Sequence, residues 1–575
     1  MRAKIRSNFL PAFGTMLSVV IGLSLSFWLV GSFSPSVVAV SMASISGVVK
    51  DDGGKALRGA RITATSGYKS VSRFTDQAGR YKITDLTPGT YNVAVTGWGF
   101  EKKENNKELS ADVEMNFTLA PQWVPARLST ADWLSALPEN EETQTLKTTC
   151  IKCHNLSWVF RRRGMTASQW THLVMNMGVA GNILQGKLIG NNTTGGMFRT
   201  SGDKNDPELA AKLGAILGKY FGPNSPLPTR EQVRHPGISD AALRATFREY
   251  RSPTRAYAHS VMPGREGKYV WFNYWNDTGA AKQIGRFEIA TEKFLDIQLP
   301  ANAGNPWTSK DGKRIWAVAG NVLFEFDART GEFSEHKPPI KIGRTMGEDS
   351  AGNIWLSGDS ITKFDPRAAK FEEFQIPKVS DLPEHFNEVN LNTKYYRAEL
   401  EEGRKEFGTW AYDLAVDSHD NIWYTHYETG HIVRLDPKTK ETKVYRIPNA
   451  IKIKGIDVGP DDTVWFGDFD GGKLVKLDPK TGHVEQYQPP TRHTAYYTPA
   501  VAKNGQVWLS DFSGSQLTRF NPATKEFTEY PFPSPDGMVR FFGFDPQGRV
   551  WYADTSGEKI GVLDPGDTAT PERSK

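Results

Sequence analysis

The chain of 575 residues has two cysteines, three apart and directly before a histidine: Cys150-Ile-Lys-Cys153-His154. Two thiols at this spacing on a helical turn reach the two vinyl groups of one porphyrin while the adjacent imidazole meets the iron. That is the chemistry of covalent c-type haem attachment. The competing reading, half of a zinc site, wants a second thiol pair, and no third cysteine exists. An electron-transfer haem takes a second axial ligand, usually Met or His. Downstream of the motif, Trp170, Val174 and Met177 stand at i, i+4 and i+7, one helical face that would cover the haem. Met165, His172, Met175 and Met197 are the other side chains of suitable type, and each methionine equally suits a core position. Arg161, Arg162 and Arg163 are near enough in sequence to pair with propionates, or form a solvated basic run. A Met/His site leaves no open position for oxygen or peroxide, so the expected chemistry is electron transfer. One haem stores one electron, and a two-electron oxidation would need another centre or a partner.

The motif lies in a stretch with helical signals, 126–225. GluGluThrGlnThrLeuLys leads into Cys150, Thr166 caps a helix running to Met177, and Pro207 opens ELAAKLGAILGKYF. A small α-helical domain is expected. The segment resembles small cytochrome c domains, in which CxxCH is followed by a Trp, a Val four on and a Met seven on. That resemblance implies Met177 as the second axial ligand.

From 44 to 121 the pattern changes to alternation of apolar and polar residues between turn signals, as in ISGVVKDDGGKALRGARITAT and FTDQAGRYKITDLTPGTYNVAVTGWGF. This predicts a small antiparallel β-sandwich. Gly47, Gly59, Ala60, Thr75, Asp76, Gly79, Tyr81, Leu86, Pro88, Gly89 and Tyr91 resemble the carboxypeptidase regulatory-like, transthyretin-like domain. The glycines and Pro88 suit turns, the tyrosines suit the core, and nothing there is a nucleophile or metal cluster. A spacer or adhesion module is expected.

From 239 to 566 one unit recurs: a turn with Gly or Asp, an apolar pair ending in Trp, a strand closing on Asp-Pro, then an aromatic and charged strand. The tryptophans are Trp271, Trp316, Trp355, Trp423, Trp465, Trp508 and Trp551, spaced 45, 39, 68, 42, 43 and 43 residues apart. That spacing suits four-stranded propeller blades, so seven are expected. Asp365, Asp436, Asp478 and Asp564, each before Pro, and Asn521 in the same place, put an Asx acceptor and a fixed φ in hairpin turns. Phe247 to Tyr250 reads as the outer strand missing from the last blade, completing it and removing the sheet edge. The long gap between Trp355 and Trp423 carries LeuAsnThrLysTyrTyrArgAlaGluLeuGluGlu, which reads as helical and as either a functional insertion or a solvated decoration.

Repeats such as GPDDTVWFGDFDGGKLVKLDPKTG and DPQGRVWYADTSGEKIGVLDP resemble the virginiamycin B (streptogramin) lyase propeller family across all seven blades. The resemblance implies a ring-opening elimination carried by an inner-strand His, a Glu three after a blade Trp and a second His three further on, with magnesium. This sequence departs from that set. The positions three after each Trp are Tyr274, Ala319, Gly358, His426, Asp468, Asp511 and Asp554, with no Glu among them. The inner-strand positions, eleven before each Trp, are Ser260 (beside His259), Asn305, Arg344, Tyr412, Lys454, Tyr497 and Arg540. What remains is a channel mouth with His426, Asp468, Asp511 and Asp554 facing Arg344, Lys454, Tyr497 and Arg540. It reads as a site for a divalent cation or polar ligand, or as satisfied ion pairs lining a wet channel.

Arg2, Lys4 and Arg6 precede an apolar run from about Met16 to Phe33 and small residues near Ala39 and Ala43, a secretory signal or an N-terminal membrane anchor within 1–43. The formal net charge of +5 falls to +2 without those three cations, and nothing recruits nucleic acid. Two cysteines do not make a disulfide scaffold in an exported chain of this length. The sequence therefore reads as a multidomain, mainly β, periplasmic or otherwise exported protein with one covalent haem c. Its expected partner is a redox protein or a small-molecule donor. An oxidoreductase or lyase site in the propeller feeding the haem, and a non-enzymatic binding protein, are the alternatives.

Overall fold

The computed structural model describes residues 41–151, 155–175, 207–254, 256–274, 282–380, 410–427, 429–450 and 452–566. The N-terminal signal or anchor, Cys153, His154, Met177, Met197 and the helix expected within 391–402 lie outside the described residues. No helix among the described residues is long and apolar enough to cross a membrane.

The chain is multidomain and mainly β, with a β-propeller-like fold. Seven sheets of four strands follow one another: sheets 1 to 6 span 258–298, 307–336, 346–374, 411–446, 453–487 and 496–531. Sheet 7 takes three strands from 542–564 and its outer strand from Thr246–Arg251, which precedes sheet 1 in the chain. Neighbouring sheets pack through fully buried tryptophans. Trp551 of sheet 7 lies in one apolar cluster with Val261 and Phe272 of sheet 1, and Trp316 of sheet 2 packs with Met346 and Leu356 of sheet 3. The Asx turns form as the sequence predicts. Asp365 accepts the backbone N–H groups of Arg367 and Ala368, and Asp436 and Asp478 accept the equivalent pairs.

The sandwich at 43–119 is not wholly antiparallel. Strand Ala43–Asp51 pairs antiparallel with Arg80–Leu86 but parallel with Val113–Glu114 and Phe117–Leu119. Gly47 is not in a turn either: it sits mid-strand, where a Cβ would fall 1.9 Å from the Met115 carbonyl oxygen. Only glycine admits so close a backbone approach.

The sandwich is joined to the propeller by main chain. Strand Lys69–Phe74 pairs with Thr246–Arg251, which also pairs with Lys559–Asp564, so one sheet of eight strands runs through both domains. The outer edge of the seventh sheet is thereby covered, which protects it from pairing with other chains. At this seam Glu249, 2% exposed, accepts from Lys559 Nζ at 3.1 Å and Tyr552 Oη at 3.1 Å. Arg61 donates to the carbonyls of Pro531 and Pro533, and burial pushes its guanidinium down to about 10 despite the nearby Glu249.

The described part of 126–225 is helical. Asn140 and Thr143 form a capping box for Glu141–Cys150, and Thr166 and Gln169 exchange the same two bonds ahead of Ala167–Met175. Helix Pro207–Phe221 begins on the expected proline. It crosses Ala167–Met175 very closely: a Cβ on Gly214 would fall 2.0 Å from Thr171 Oγ1, and one on Gly218 2.8 Å from Ala167 Cα. The two helices enclose Trp170, which is fully buried.

Candidate functional site

The helical segment sits on the mouth of the propeller. One apolar cluster joins Leu134, Leu146, Ile151, Phe160, Trp170 and Phe221 of the helices to Tyr412, Tyr427, Phe469, Tyr497, Phe512 and Met538 at the ends of sheets 4 to 7. Trp133 stacks on Phe160 with ring centroids 4.5 Å apart inside it. Cys150 ends its helix half-buried against this cluster, as do Met165, Leu173 and Val174. Of the face read from sequence, Trp170 and Val174 thus share one cluster with Cys150. Met175 is half-buried and His172 exposed.

Both flanks of the Cys150 to His154 motif are tied to the propeller. Two residues before it, the Thr148 carbonyl accepts from Lys452 Nζ at 3.0 Å, and Lys452, 1% exposed, also lies 3.5 Å from Asp470. Directly after it, Asn155 donates from Nδ2 to the Asp536 carbonyl at 2.8 Å, and Leu156 N–H donates to Thr130 Oγ1 at 2.8 Å. Arg161 pairs with the Asp536 carboxylate, and Arg163 donates to the Ser225 carbonyl. The arginine run is therefore spent in part on the propeller rim and a neighbouring loop. Further out, Ala131 N–H donates to the Ser513 carbonyl, and Arg492 meets Glu139 at 2.6 Å.

The carboxylates expected to face into the channel mouth do other work. Asp511 Oδ1 accepts the N–H groups of Ala495, Ser513 and Gly514. Asp554 Oδ1 accepts those of Met538 and Ser556, and Asp468 Oδ1 that of Gly471. Each closes the turn after its strand, and Asp511 and Asp554 also anchor the start of the inner strand. Burial pushes the Asp468 carboxyl up to about 7 and the Asp554 carboxyl up to about 6, and raises that of Asp511. Asp470 adds to the rise at Asp468, and Glu249 to that at Asp554. His426 has both ring nitrogens engaged, Nδ1 with Thr429 Oγ1 at 2.6 Å and Nε2 with the Pro377 carbonyl at 2.9 Å. Burial holds it near 4, hence neutral at pH 7. The four residues do not form a cation site, and no group of three or more His, Cys, Asp or Glu among the described residues is arranged to hold a metal.

Of the positions read as inner-strand, Tyr412, Lys454, Tyr497 and Arg540 come together, while Asn305, Arg344 and Arg540 lie just before the strands they were assigned to. The Tyr412 and Tyr497 hydroxyls bond to each other across Lys454, whose ammonium lies 4.3 Å from the Tyr497 ring centroid and 4.2 Å from that of Phe469. The Arg540 guanidinium is 5.3 Å from the Phe512 ring and 5.9 Å from Tyr497. On the other side Ser260 Oγ donates to Asn305 Oδ1 at 2.6 Å and contacts His259 Nδ1 at 2.7 Å. The aromatic floor was missed in the sequence, although it had a signal: Tyr427, Phe469 and Phe512 directly follow His426, Asp468 and Asp511. So had the acids that hold the blade tryptophans. Asp349, Asp417 and Asp545 stand six residues before Trp355, Trp423 and Trp551 and accept their indole N–H groups at 2.8 to 3.0 Å.

Comparison with known proteins bears on two of the three regions. Residues 44–120 match the carboxypeptidase regulatory-like domain, and residues 401–571, which hold sheets 4 to 7, match the virginiamycin B lyase family. The chain carries both a carboxypeptidase regulatory-like domain and a virginiamycin B lyase-like propeller. Similar solved structures include virginiamycin B lyase from Staphylococcus aureus, at 17% identity, TM-score 0.45, covering 56% of this chain and 99% of that one. A streptogramin B lyase is 20% identical at TM-score 0.47, covering 57% and 99%. The Cps50 (Swd1) β-propeller domain of Myceliophteria thermophila is 10% identical at TM-score 0.42, covering 55% and 97%. No curated protein matches the chain.

Proposed function

We propose that this chain is an exported c-type haem protein that transfers single electrons at the mouth of its own propeller. Cys150 and Cys153 would hold the haem covalently, with His154 and Met177 as axial ligands. The described part of the site fits such a group: Cys150 is half-buried against the apolar cluster that holds Trp170, and Met165, Leu173 and Val174 pack on the same cluster, an apolar setting of the kind a porphyrin requires. When bound, the haem supplies a reversible one-electron couple. The chain's own residues seat and shield the site. The observation that carries the reading is that Lys452 and Asp536 of the propeller hold the two flanks of the CxxCH motif. A haem domain tethered only by a linker would have no use for such bonds. Lyase activity is not proposed, because neither the His/Glu/His set nor a cation site is present among the described residues.

The test is a reduced-minus-oxidised visible spectrum with a redox titration on the full chain, made in a host competent for cytochrome c maturation, beside Met177→Ala. The expected result is sharp c-type bands and a one-electron transition. The long-wavelength band of methionine-ligated ferric haem should be present in the wild type and lost in the variant. Absence of c-type bands contradicts the proposal, and an unchanged band in Met177→Ala removes that residue as the ligand.

A further inference from the structure

A cleft of about 610 Å³ opens where the helix Glu141–Cys150 meets sheets 5 and 6, a volume within the range of small-ligand sites. One wall is a single face of the helix: Asn140, Thr143, Gln144 and Lys147 stand at i, i+3, i+4 and i+7. The other is Gly471 of sheet 5 with Gln488, Pro489, Pro490, Arg492 and His493 of the link to sheet 6. The charged groups here are unevenly committed. Arg492 and Glu139, both lining the cleft, meet at 2.6 Å and neutralise each other. Glu141 and Glu142, in the first turn of the helix, pair instead with Lys212 and Lys219 of the helix Pro207–Phe221. Lys147 and His493 differ: among the described residues, neither the ammonium nor the imidazole makes a hydrogen bond or an ion pair. The carboxylates that act on Lys147 are Asp470, Asp468 and Asp511, and each is engaged elsewhere. Asp470 lies 3.5 Å from Lys452, and the other two accept turn N–H groups. Burial outweighs all three and holds the ammonium below the usual lysine range. At His493 burial, then Lys147, lowers the imidazole to about 4, so at pH 7 it is neutral and offers one donor and one acceptor.

We propose that this cleft binds a small carboxylate: Lys147 takes the charged end, while the His493 ring and the Gln144 and Gln488 amides bond its other polar atoms. A partly desolvated ammonium with no bonded counter-charge gains most from an incoming anion. The start of the helix, which favours negative charge, opens on the same cleft at Asn140 and Thr143. Leu134, Pro489 and Pro490 supply an apolar side for the carbon frame. Lys147 stands three residues before Cys150, about 4.5 Å along the helix axis, and its neighbour Thr148 is the residue held by Lys452. A ligand seated here therefore bears on the helix that leads into the CxxCH motif. The cleft is built from residues outside that motif, so the inference goes beyond the haem reading and does not depend on it.

Calorimetric titration of the full chain with succinate and with benzoate, in low-salt buffer at pH 7, tests the site, with succinamide and benzamide as uncharged counterparts. One carboxylate per chain is expected, and no binding of either amide. Lys147→Met should weaken the carboxylate about tenfold or more, and Gln144→Ala, at an exposed position, about threefold. Near-UV circular dichroism checks that each variant is folded. Arg492→Gln, also exposed, leaves Glu139 without its cation beside the cleft and replaces Lys147→Met if that variant does not fold. Absence of binding by both carboxylates, equal binding of their amides, or affinity unchanged in the folded Lys147 or Arg492 variant overturns the inference. The titration needs no haem, so failure of the haem reading and failure of this one are separable.

Discussion

The propeller makes two seams, and they are built from different parts of the chain. The sandwich meets it through a β-ladder: Val71 pairs with Arg248, which pairs with Val562, so backbone groups do most of the joining and many sequences would serve. The helical segment meets it through side chains. Tyr412, Phe469, Tyr497 and Phe512 share one apolar cluster with the helices, and Lys452 and Asp536 bond to the motif's flanks. A seam that depends on particular side chains around a chemical motif is the one the proposed haem function would use. A ladder is a structural one.

Substitution should separate them. Trp133→Ala, which removes a buried ring stacked on Phe160, should cost about 3–5 kcal/mol, the expected range for truncating a core aromatic. Far-UV and near-UV melts should show the helices lost while the propeller transition stays in place. A shared loss would mean that the mouth needs its helical cover to fold. Arg248→Pro, in the strand common to sandwich and propeller, should cost about 3 kcal/mol by breaking ladder bonds. It should lower both domains in one transition by denaturant titration, and an unaffected sandwich would show that the ladder does not couple them.

Smaller effects sharpen the helical seam. Lys452→Met should cost about 2 kcal/mol, since it removes a charged hydrogen bond to Thr148 and leaves Asp470 buried without that ammonium. Adding Asp470→Leu should recover part of the loss in urea titrations. Asp468 gives the most pH-dependent effect. Its folded carboxyl is raised to about 7, so between about pH 4 and 7 the folded state binds more protons than the unfolded one, and this contribution is lost as pH rises. Asp468→Asn should therefore gain about 1–3 kcal/mol relative to wild type between pH 5 and 7.5. A flat difference would place the Asp468 carboxyl in the ordinary range.

Much of the fold was legible because it rests on local periodicity. Blade tryptophans at near-constant spacing, Asx-Pro turns and the outer strand around Phe247 all mark structure through short-range rules, and each is found where those rules put it. Contacts between domains carry no such periodicity. The pairing of Lys69–Phe74 with Thr246–Arg251 joins residues about 180 apart, and no pattern in either strand names the other. At the mouth, the sequence shows residue types but not the directions of their side chains. Asp468, Asp511 and Asp554 looked like ligands because they recur on consecutive blades. They recur because each turn needs an acceptor for its N–H groups, a demand that the strand-turn repeat itself creates. Lys454 and Arg540, by contrast, stand at equivalent positions that Ser260, Asn305, Tyr412 and Tyr497 fill on other blades, so the repeat does not fix the residue type there.

The most direct test of the central claim is the intact mass of the full chain purified from a cytochrome c maturing host, measured after denaturation and thiol labelling. The account predicts a polypeptide heavier by one haem with no thiol left to label, and loss of the covalent haem in Cys150→Ser/Cys153→Ser. A haem-free chain with two labelled thiols would contradict it.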